Sequence, residues 1–215
     1  MDSRPQRSGA ISLLGRAHRQ AVFGRRARVL AELLAGRIPA GASVLDVGCG
    51  DGTIAMLIKE RDPSLTMRGI EFAQRENCKI ECKAFDGVNI PYPDDSFDVC
   101  VFVDVLHHVR ESQGVVRLLS EALRVTRRFV LIKDHLSENW LDCKTLKFMD
   151  WVGNRPHGVV LPYNYQSRVQ WDRCFVETGL KVKDWQAEIP LYPWPFRAVF
   201  GRHLHFIALV EKTKP

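Results

Sequence analysis

The run Val44-Leu45-Asp46-Val47-Gly48-Cys49-Gly50-Asp51-Gly52-Thr53-Ile54 restricts the fold more than any other part of the chain. Ala42 to Val47 reads as a short buried strand. A glycine-rich turn follows, and Thr53 to Glu60 carries Ile54, Leu57 and Ile58 at helical spacing. Strand, glycine turn and helix in that order open a nucleotide-binding α/β sheet. The glycines permit φ > 0 in a sharp turn and let backbone N–H groups touch a ligand with no side chain between.

The spacing narrows the ligand. A dinucleotide fingerprint places glycines as G-x-G-x-x-G with a pyrophosphate on the helix N-terminus. Here the pattern is Gly48-x-Gly50-x-Gly52 with Thr53 next, so that fingerprint is broken and a NAD-dependent dehydrogenase is disfavoured. Asp46 and Asp51 flank the turn; they would repel a pyrophosphate and suit a ligand that carries positive charge. S-adenosylmethionine (SAM) has a sulfonium, an ammonium and no phosphate. The stretch D-V-G-C-G-D-G resembles motif I of the class I SAM-dependent methyltransferases.

Further elements fall in the order that resemblance implies. Leu65 to Ile70 reads as a second strand ending in Glu71, an acidic side chain placed to accept from both ribose hydroxyls. Cys78 to Phe85 reads as a third strand closed by Asp86, which in the family holds the adenine amino group. Asn89 to Asp98 resembles the connector into a fourth strand, Val99 to Val103, a continuous apolar run suited to burial on both faces. The following Asp104-Val105-Leu106-His107-His108-Val109 is similar to the strand-end signature of methyltransferases related to ubiquinone and menaquinone biosynthesis. The resemblance covers roughly residues 40–135. It implies a Rossmann-like fold, a seven-stranded mostly parallel sheet with helices on both faces and an antiparallel last strand. It also implies cofactor contacts at Asp46, Gly48, Cys49, Gly50, Asp51, Gly52, Glu71, Phe72, Asp86, Gly87 and Asp104.

Ser112 to Val125 then reads as a helix and Phe129 to Ile132 as the fifth strand, leading into Lys133-Asp134-His135. Where the family carries a proline-glycine-glycine turn before this strand, the chain has Thr126-Arg127-Arg128, which predicts a tighter connection. Asn139 to Val152 has helical spacing, with Trp140, Leu141, Phe148 and Met149 among its apolar positions. Pro156 to Gln166 is a loop with His157, Tyr163 and Tyr165. Ser167-Arg168-Val169-Gln170 is a capping box, and its helix ends at Gly179. Leu180 to Trp185 and Leu204 to Val210 read as the last two strands, separated by the proline-rich Pro190 to Phe196.

Charge is unevenly placed. The whole chain carries +6, and residues 1–40 hold eight arginines against Asp2 and Glu32, which alone gives +6. We therefore divide the chain into a basic helical arm, 1–40, and a cofactor-binding body, 41–215, with acceptor-side elements in about 136–200. Within the arm, Ile11 to Phe23 is weakly amphipathic, and Arg25 to Ala35 is a better helix closing at Gly36. An arginine-rich, acid-poor arm reads as a solvated face, as a contact with a membrane surface or anionic substrate, or as a targeting segment. No apolar run is long enough to span a bilayer, and no secretory pattern follows the N-terminal charges. Six scattered cysteines in a domain of this size are expected to be reduced thiols of a cytoplasmic protein. Cys78-x-x-x-Cys82 is half of a metal pattern with nothing in the sequence to complete it, so no metal is expected.

In an open α/β sheet, ligands sit beyond the carboxyl ends of the strands. Asp104, His107, His108 and His135, with Asp134, are expected to edge the space where a sulfonium methyl points. Methyl transfer is an in-line displacement, so a base matters only where the acceptor must lose a proton. Histidine is then the favoured candidate. His107 and His108 are neighbours and point differently, which leaves the choice between them open. His203 and His205 are expected to share one strand face. Tyr163, Tyr165, Trp151 and Trp194 read either as a lid for a flat or greasy acceptor or as a satellite apolar cluster. Three functions compete. The first is methyl transfer to oxygen, carbon or nitrogen of a small-molecule or lipid-like acceptor. The second is RNA methylation using the basic arm, since an Asp104/Lys133 pair resembles that of ribose 2′-O-methyltransferases. The third is a non-catalytic SAM-binding regulator.

Overall fold

The computed structural model describes residues 24–154, 162–201 and 203–213. The expected helix over 11–23, His157 and the first residues of the arm lie outside them. Seven strands form one sheet: β1 (Ser43–Val47), β2 (Thr66–Glu71), β3 (Cys82–Ala84), β4 (Phe97–Val103), β5 (Thr126–His135), β6 (Leu180–Ala187) and β7 (His205–Lys212). Their order is β3-β2-β1-β4-β5-β7-β6. The pairs from β3 to β5 are parallel, and β7 runs antiparallel to both β5 and β6. This is the expected fold. The strand order reverses between β1 and β4, and the crevice beyond their carboxyl ends is where such sheets bind ligands.

Helices cover both faces. The described helices are α1 (residues 24–35), α2 (Thr53–Arg61), α3 (Ser112–Val125), α4 (Trp140–Asn154), α5 (Arg168–Glu177) and the short α6 (Arg197–Phe200). Successive residues of β4 point to opposite sides. Cys100 and Phe102 pack with Leu118 and Leu119 of α3 and Trp171 of α5, while Val99 and Val101 pack with Leu30 and Leu34 of α1 and Ile58 of α2. With both faces buried, each such residue adds about 1.5–3 kcal/mol of burial, which is why the strand is apolar without alternation. The second half of the expected arm is therefore part of the core: Ala27, Leu30, Ala31 and Leu34 are all buried.

Several boundaries differ from expectation for identifiable reasons. The third strand is confined to Cys82–Ala84, because residues 78–80 turn away to the glycine loop, where Lys79 N–H donates to Asp51 O (3.0 Å). The fifth strand starts at Thr126, directly after α3. The Thr126 hydroxyl donates to the Ala122 carbonyl and ends the helix, so the connection is tighter than a turn. The capping box at Ser167 and Gln170 is present with both of its hydrogen bonds.

Helix α4 is inverted relative to its apolar pattern. Trp140, Leu141, Phe148, Trp151 and Val152 are exposed, while Leu146 and the carboxylates Asp142 and Asp150 are buried. A helix that turns acidic side chains inward has polar groups to meet there. Asp142 accepts from His203 Nε2 at 2.7 Å. His203 lies in the turn before β7 and His205 opens that strand, so the two histidines do not share a strand face as expected.

Candidate functional site

The glycine turn closes on the ends of β1 and β2. Gly48, Gly50 and Gly52 all have positive φ (74°, 60° and 72°), a region that L side chains seldom occupy. Gly48 has a second reason to be glycine: a Cβ there would lie 2.7 Å from Val105 Cγ2, in the loop after β4. Gly48 N–H and Cys49 N–H donate to Ile70 O (2.8 and 3.2 Å). Glu71 Oε2 accepts from Gly50 N–H at 2.7 Å and Oε1 from Phe72 N–H at 2.9 Å, so the β2 carboxylate spans the mouth of the turn. The Phe72 ring is exposed and lies beside Gly87, where a Cβ would stand 3.6 Å from Phe72 Cδ2.

The acidic residues of this region are not equivalent. Asp46 is buried in the strand, and burial together with the Glu71 charge pushes its carboxyl up to about 7. No cation pairs with it among the described residues. Asp51 is half-exposed; burial works against its charge, but the Thr53 hydrogen bonds and the Lys79 ammonium hold it below its ordinary value. Asp86 spends its oxygens on its own turn, accepting from Val88 N–H, Asn89 N–H and Asn89 Nδ2 (2.7, 2.6 and 2.8 Å).

A second polar cluster fills the ends of β4 and β5. Asp104, at φ 57°, turns the chain out of β4. It accepts from Arg26 of α1 and from Lys133 of β5. Next to it, His107 Nδ1 meets Asp134 Oδ1 at 2.7 Å. Asp134 is held rigidly, since its oxygens also accept from Leu106 N–H (2.9 Å) and His135 N–H (2.7 Å). The other imidazole nitrogen, His107 Nε2, faces Asp150 of α4 at 3.5 Å, and Tyr165 donates to the same carboxylate while its ring stacks on His107. His135 Nδ1 is 3.2 Å from His107 Nδ1. His205 Nδ1 lies 3.4 Å from Lys133 Nζ.

Burial and charge separate the histidines. Burial opposes the charge on His107, but Asp134 and then Asp150 outweigh it and raise the imidazole above its ordinary value. Burial and the neighbouring His107 charge push His108 down to about 4. The same two causes lower His135, and burial and Lys133 lower His205. Asp134 stays well below the usual carboxylate range despite its burial, because His107 and His135 surround it. Lys133 is lowered by burial, against the pull of Asp104. Of the two adjacent histidines, then, His107 makes the carboxylate contact. His108 packs on it at 4.1 Å between rings, and its Nδ1 has no hydrogen-bond partner.

His107, Asp134 and His135 also bring ligand atoms within 4.8 Å of one another. Both Asp134 oxygens are already taken by backbone donors, so the set is a hydrogen-bonded pair with a flanking histidine. The Asp104/Lys133 pair forms as expected. Its surroundings are Arg26, His135, His107 and His205. Arg26 and Asp150 went unread in the sequence, and His205 was read only as a strand partner of His203. Asp150 had one usable signal, an acidic residue on the face of α4 opposite its aromatic groups. The aromatic set read as a lid or a satellite cluster is divided: Tyr163 and Tyr165 lie close together (6.3 Å between rings) with Tyr165 over His107, whereas Trp194 is 85% exposed.

Comparisons with known proteins identify the family. The profile of the family described as a methyltransferase domain matches residues 16–208. The chain is 30% identical over 117 residues to the 27-O-demethylrifamycin SV methyltransferase of Amycolatopsis mediterranei, covering 47% of this chain and 43% of that one. It is 28% identical over 96 residues to the tRNA (carboxymethyluridine(34)-5-O)-methyltransferase alkbh8 of Xenopus tropicalis, covering 42% and 15%. It is 31% identical over 99 residues to the demethylmenaquinone methyltransferase of Tropheryma whipplei, covering 42% and 39%. In each case the match spans less than half of the relative's own length. A SAM-dependent methyltransferase structure from Methanosarcina mazei superposes with a TM-score of 0.60 at 15% identity, covering 85% of this chain and 98% of that one.

Proposed function

Because the chain belongs to the methyltransferase domain family, whose cofactor is SAM, we propose that it transfers the SAM methyl group to an oxygen atom of a small-molecule acceptor, with His107 receiving the acceptor's proton. The observation that carries this reading is the buried His107–Asp134 contact of 2.7 Å at the ends of β4 and β5. An amine free base or a thioether attacks without shedding a proton first. A hydroxyl or phenol gains most from a base, and a histidine whose basicity is raised by a fixed carboxylate is suited to that task.

The residues present fit SAM. A buried carboxyl at Asp46 with no counter-cation is an unfilled electrostatic site, and a ligand bearing an ammonium and a sulfonium supplies the missing charge. Gly48, Cys49, Gly50 and Gly52 offer a turn without obstructing side chains, and Asp51 closes its far side. On this reading Glu71 exchanges its Gly50 contact for ribose hydroxyls, and Phe72 with Gly87 lends a flat edge to adenine. Asp86 would hold adenine through its turn's backbone, since its side-chain oxygens are engaged. Bound there, SAM supplies an electrophilic methyl group. The chain's own contribution is alignment, worth about 7–11 kcal/mol when reacting atoms are held at near-attack distance.

Asp134 fixes the imidazole so that Nε2, on the side of Asp150 and Tyr165, is the nitrogen that takes the proton. His108 and His135, both shifted toward the neutral form, shape the wall. Asp104, clasped by Arg26 and Lys133, borders both the turn and the histidines. In this reading α4 and Tyr165 cover the base and select the acceptor. Labelled SAM fed to source-cell extract, then separated into small-molecule, lipid, RNA and protein pools, tests it. Label in the small-molecule pool that vanishes with His107→Gln is the expected result, and label confined to protein or RNA would refute it.

A second reading, RNA methylation, is favoured by the Asp104–Lys133 contact and by the basic arm. It predicts RNA affinity that falls steeply with salt.

A further inference from the structure

Three cysteines distant in sequence meet under the glycine turn. Cys49 lies within that turn, Cys78 in the bend after β2, and Cys82 at the start of β3. Their sulfurs all lie within 4.8 Å of one another, and Cys49 Sγ stands 3.5 Å from Cys82 Sγ. All three are free and half-buried. The space they occupy is left by two glycines. A Cβ on Gly69 would come within 2.5 Å of Cys49 Sγ, and one on Gly52 within 3.2 Å of Cys78 Sγ. The sequence alone showed half of a pattern, Cys78 and Cys82; the fold adds the third thiol.

We propose that Cys49, Cys78 and Cys82 form a thiolate site for a zinc(II)-class ion that clasps residues 78–82 to the glycine turn. Thiolates select soft and borderline ions, and zinc binds sulfur at about 2.3 Å in tetrahedral geometry, which places neighbouring sulfurs ~3.8 Å apart. The observed 3.5 Å is close to that separation. A disulfide needs about 2.05 Å between sulfurs and would employ only two of the three. Three protein sulfurs leave one coordination position for water. On binding, each thiol gives its proton to solvent, and no oxidant or reductant is involved. Two cations lie along the same bend: Lys79, which donates to Thr53 Oγ1 at 2.6 Å and pairs with Asp51 at 3.7 Å, and Arg75, whose Nη2 would lie 4.0 Å from a Cβ on Gly50. The backbone is already arranged for the clasp, with Lys79 N–H on Asp51 O and Cys78 N–H on Arg75 O (3.0 and 3.3 Å).

The test uses the full chain, stripped of metal, kept reduced with a phosphine and free of SAM, so its outcome is independent of the methyltransferase reading. Cobalt(II) is the spectroscopic probe. One equivalent should produce sulfur-to-cobalt charge-transfer absorption, which zinc(II) then bleaches by displacement. Cys78→Ser and Cys82→Ser should each weaken zinc binding by about tenfold or more, and zinc should raise the melting temperature of the wild type but not of the doubly substituted chain. Circular dichroism confirms that the variants remain folded. Cobalt binding without a charge-transfer band would place the metal on nitrogen and oxygen ligands and overturn the proposal. So would affinity unchanged in the double variant, or no metal uptake by the reduced wild type.

Discussion

On the proposed reading, Asp46 makes cofactor binding depend on pH, with affinity falling as its buried carboxyl takes up a proton. Burial and the Glu71 charge hold its carboxyl at about 7 in the free protein. A cation bound beside it favours the ionised form and draws the value back toward its ordinary 3.8. The gap between those values bounds the linkage at ~4 kcal/mol. Below pH 7 SAM must first find Asp46 deprotonated. The ionised fraction falls from about one half at pH 7 to about 3% at pH 5.5, so affinity should weaken about sixteenfold, or ~1.6 kcal/mol. The α-amino group of SAM, with a value of about 7.7–8.0, stays mostly charged across that range. Calorimetry in two buffers of different ionisation enthalpy reads both the constant and the protons. Binding should release close to one proton at pH 5.5 and about half of one at pH 7. Asp46→Asn should bind more weakly at pH 7 and lose most of the slope. A flat affinity with no proton release, or an unchanged slope in Asp46→Asn, would show that the buried carboxylate is not the cation's partner.

Substituting His107→Gln should lower kcat by about 10²–10⁴ and leave SAM affinity by calorimetry within error of the wild type; an equal loss in binding would assign His107 to the cofactor instead. Because Asp134 raises His107, the base is protonated at low pH and activity should climb with pH through a value above 6.5. Asp134→Asn should move that limb to lower pH, and a limb that stays in place would exclude the pair. Lys133→Met removes the buried cation beside Asp104 and should cost about 3–5 kcal/mol in urea unfolding, while adding Asp104→Asn should restore part of it; strict additivity would show the two do not interact. Gly48→Ala forces an L residue to φ 74° and a Cβ into Val105, so stability should drop by about 1–3 kcal/mol together with SAM binding, and unchanged melting would contradict the packing.

The sheet was legible because its signals are local. A run such as Val99 to Val103 can satisfy its backbone and bury both faces in only one way, and the Gly48–Gly52 turn needs φ values that its residue types announce. Helix α4 shows where that logic stops. Its spacing identified a helix, but the apolar stripe faces outward and Asp142 and Asp150 face inward, because polar groups from the turn before β7 and from the loop after β4 meet them there. Only the fold brings those groups together. The same holds for Arg26, which the sequence offers only as one arginine of a basic arm. Nothing local distinguishes it from Arg25 or Arg28; its phase on α1 and the position of Asp104 after β4 decide that it turns inward. Cys49 was read as a turn residue for the same reason, since its partners lie across β2.

The second polar cluster is hard to explain as a source of stability. Asp104, Asp134 and Asp150 face Arg26, Lys133 and His107, and most of these side chains are buried. Removing such charges from water costs several kcal/mol per ion, and well-packed apolar residues in their place are often neutral or stabilising. The three carboxylates balance three cations only while His107 holds its proton. That balance couples the imidazole to every charge around it: a cation arriving at the turn beyond Asp104 adds positive potential and favours release of the His107 proton. Binding the cofactor would then prepare the base, and the pH limb of catalysis should lie lower in the SAM complex than His107 titrates in the free protein.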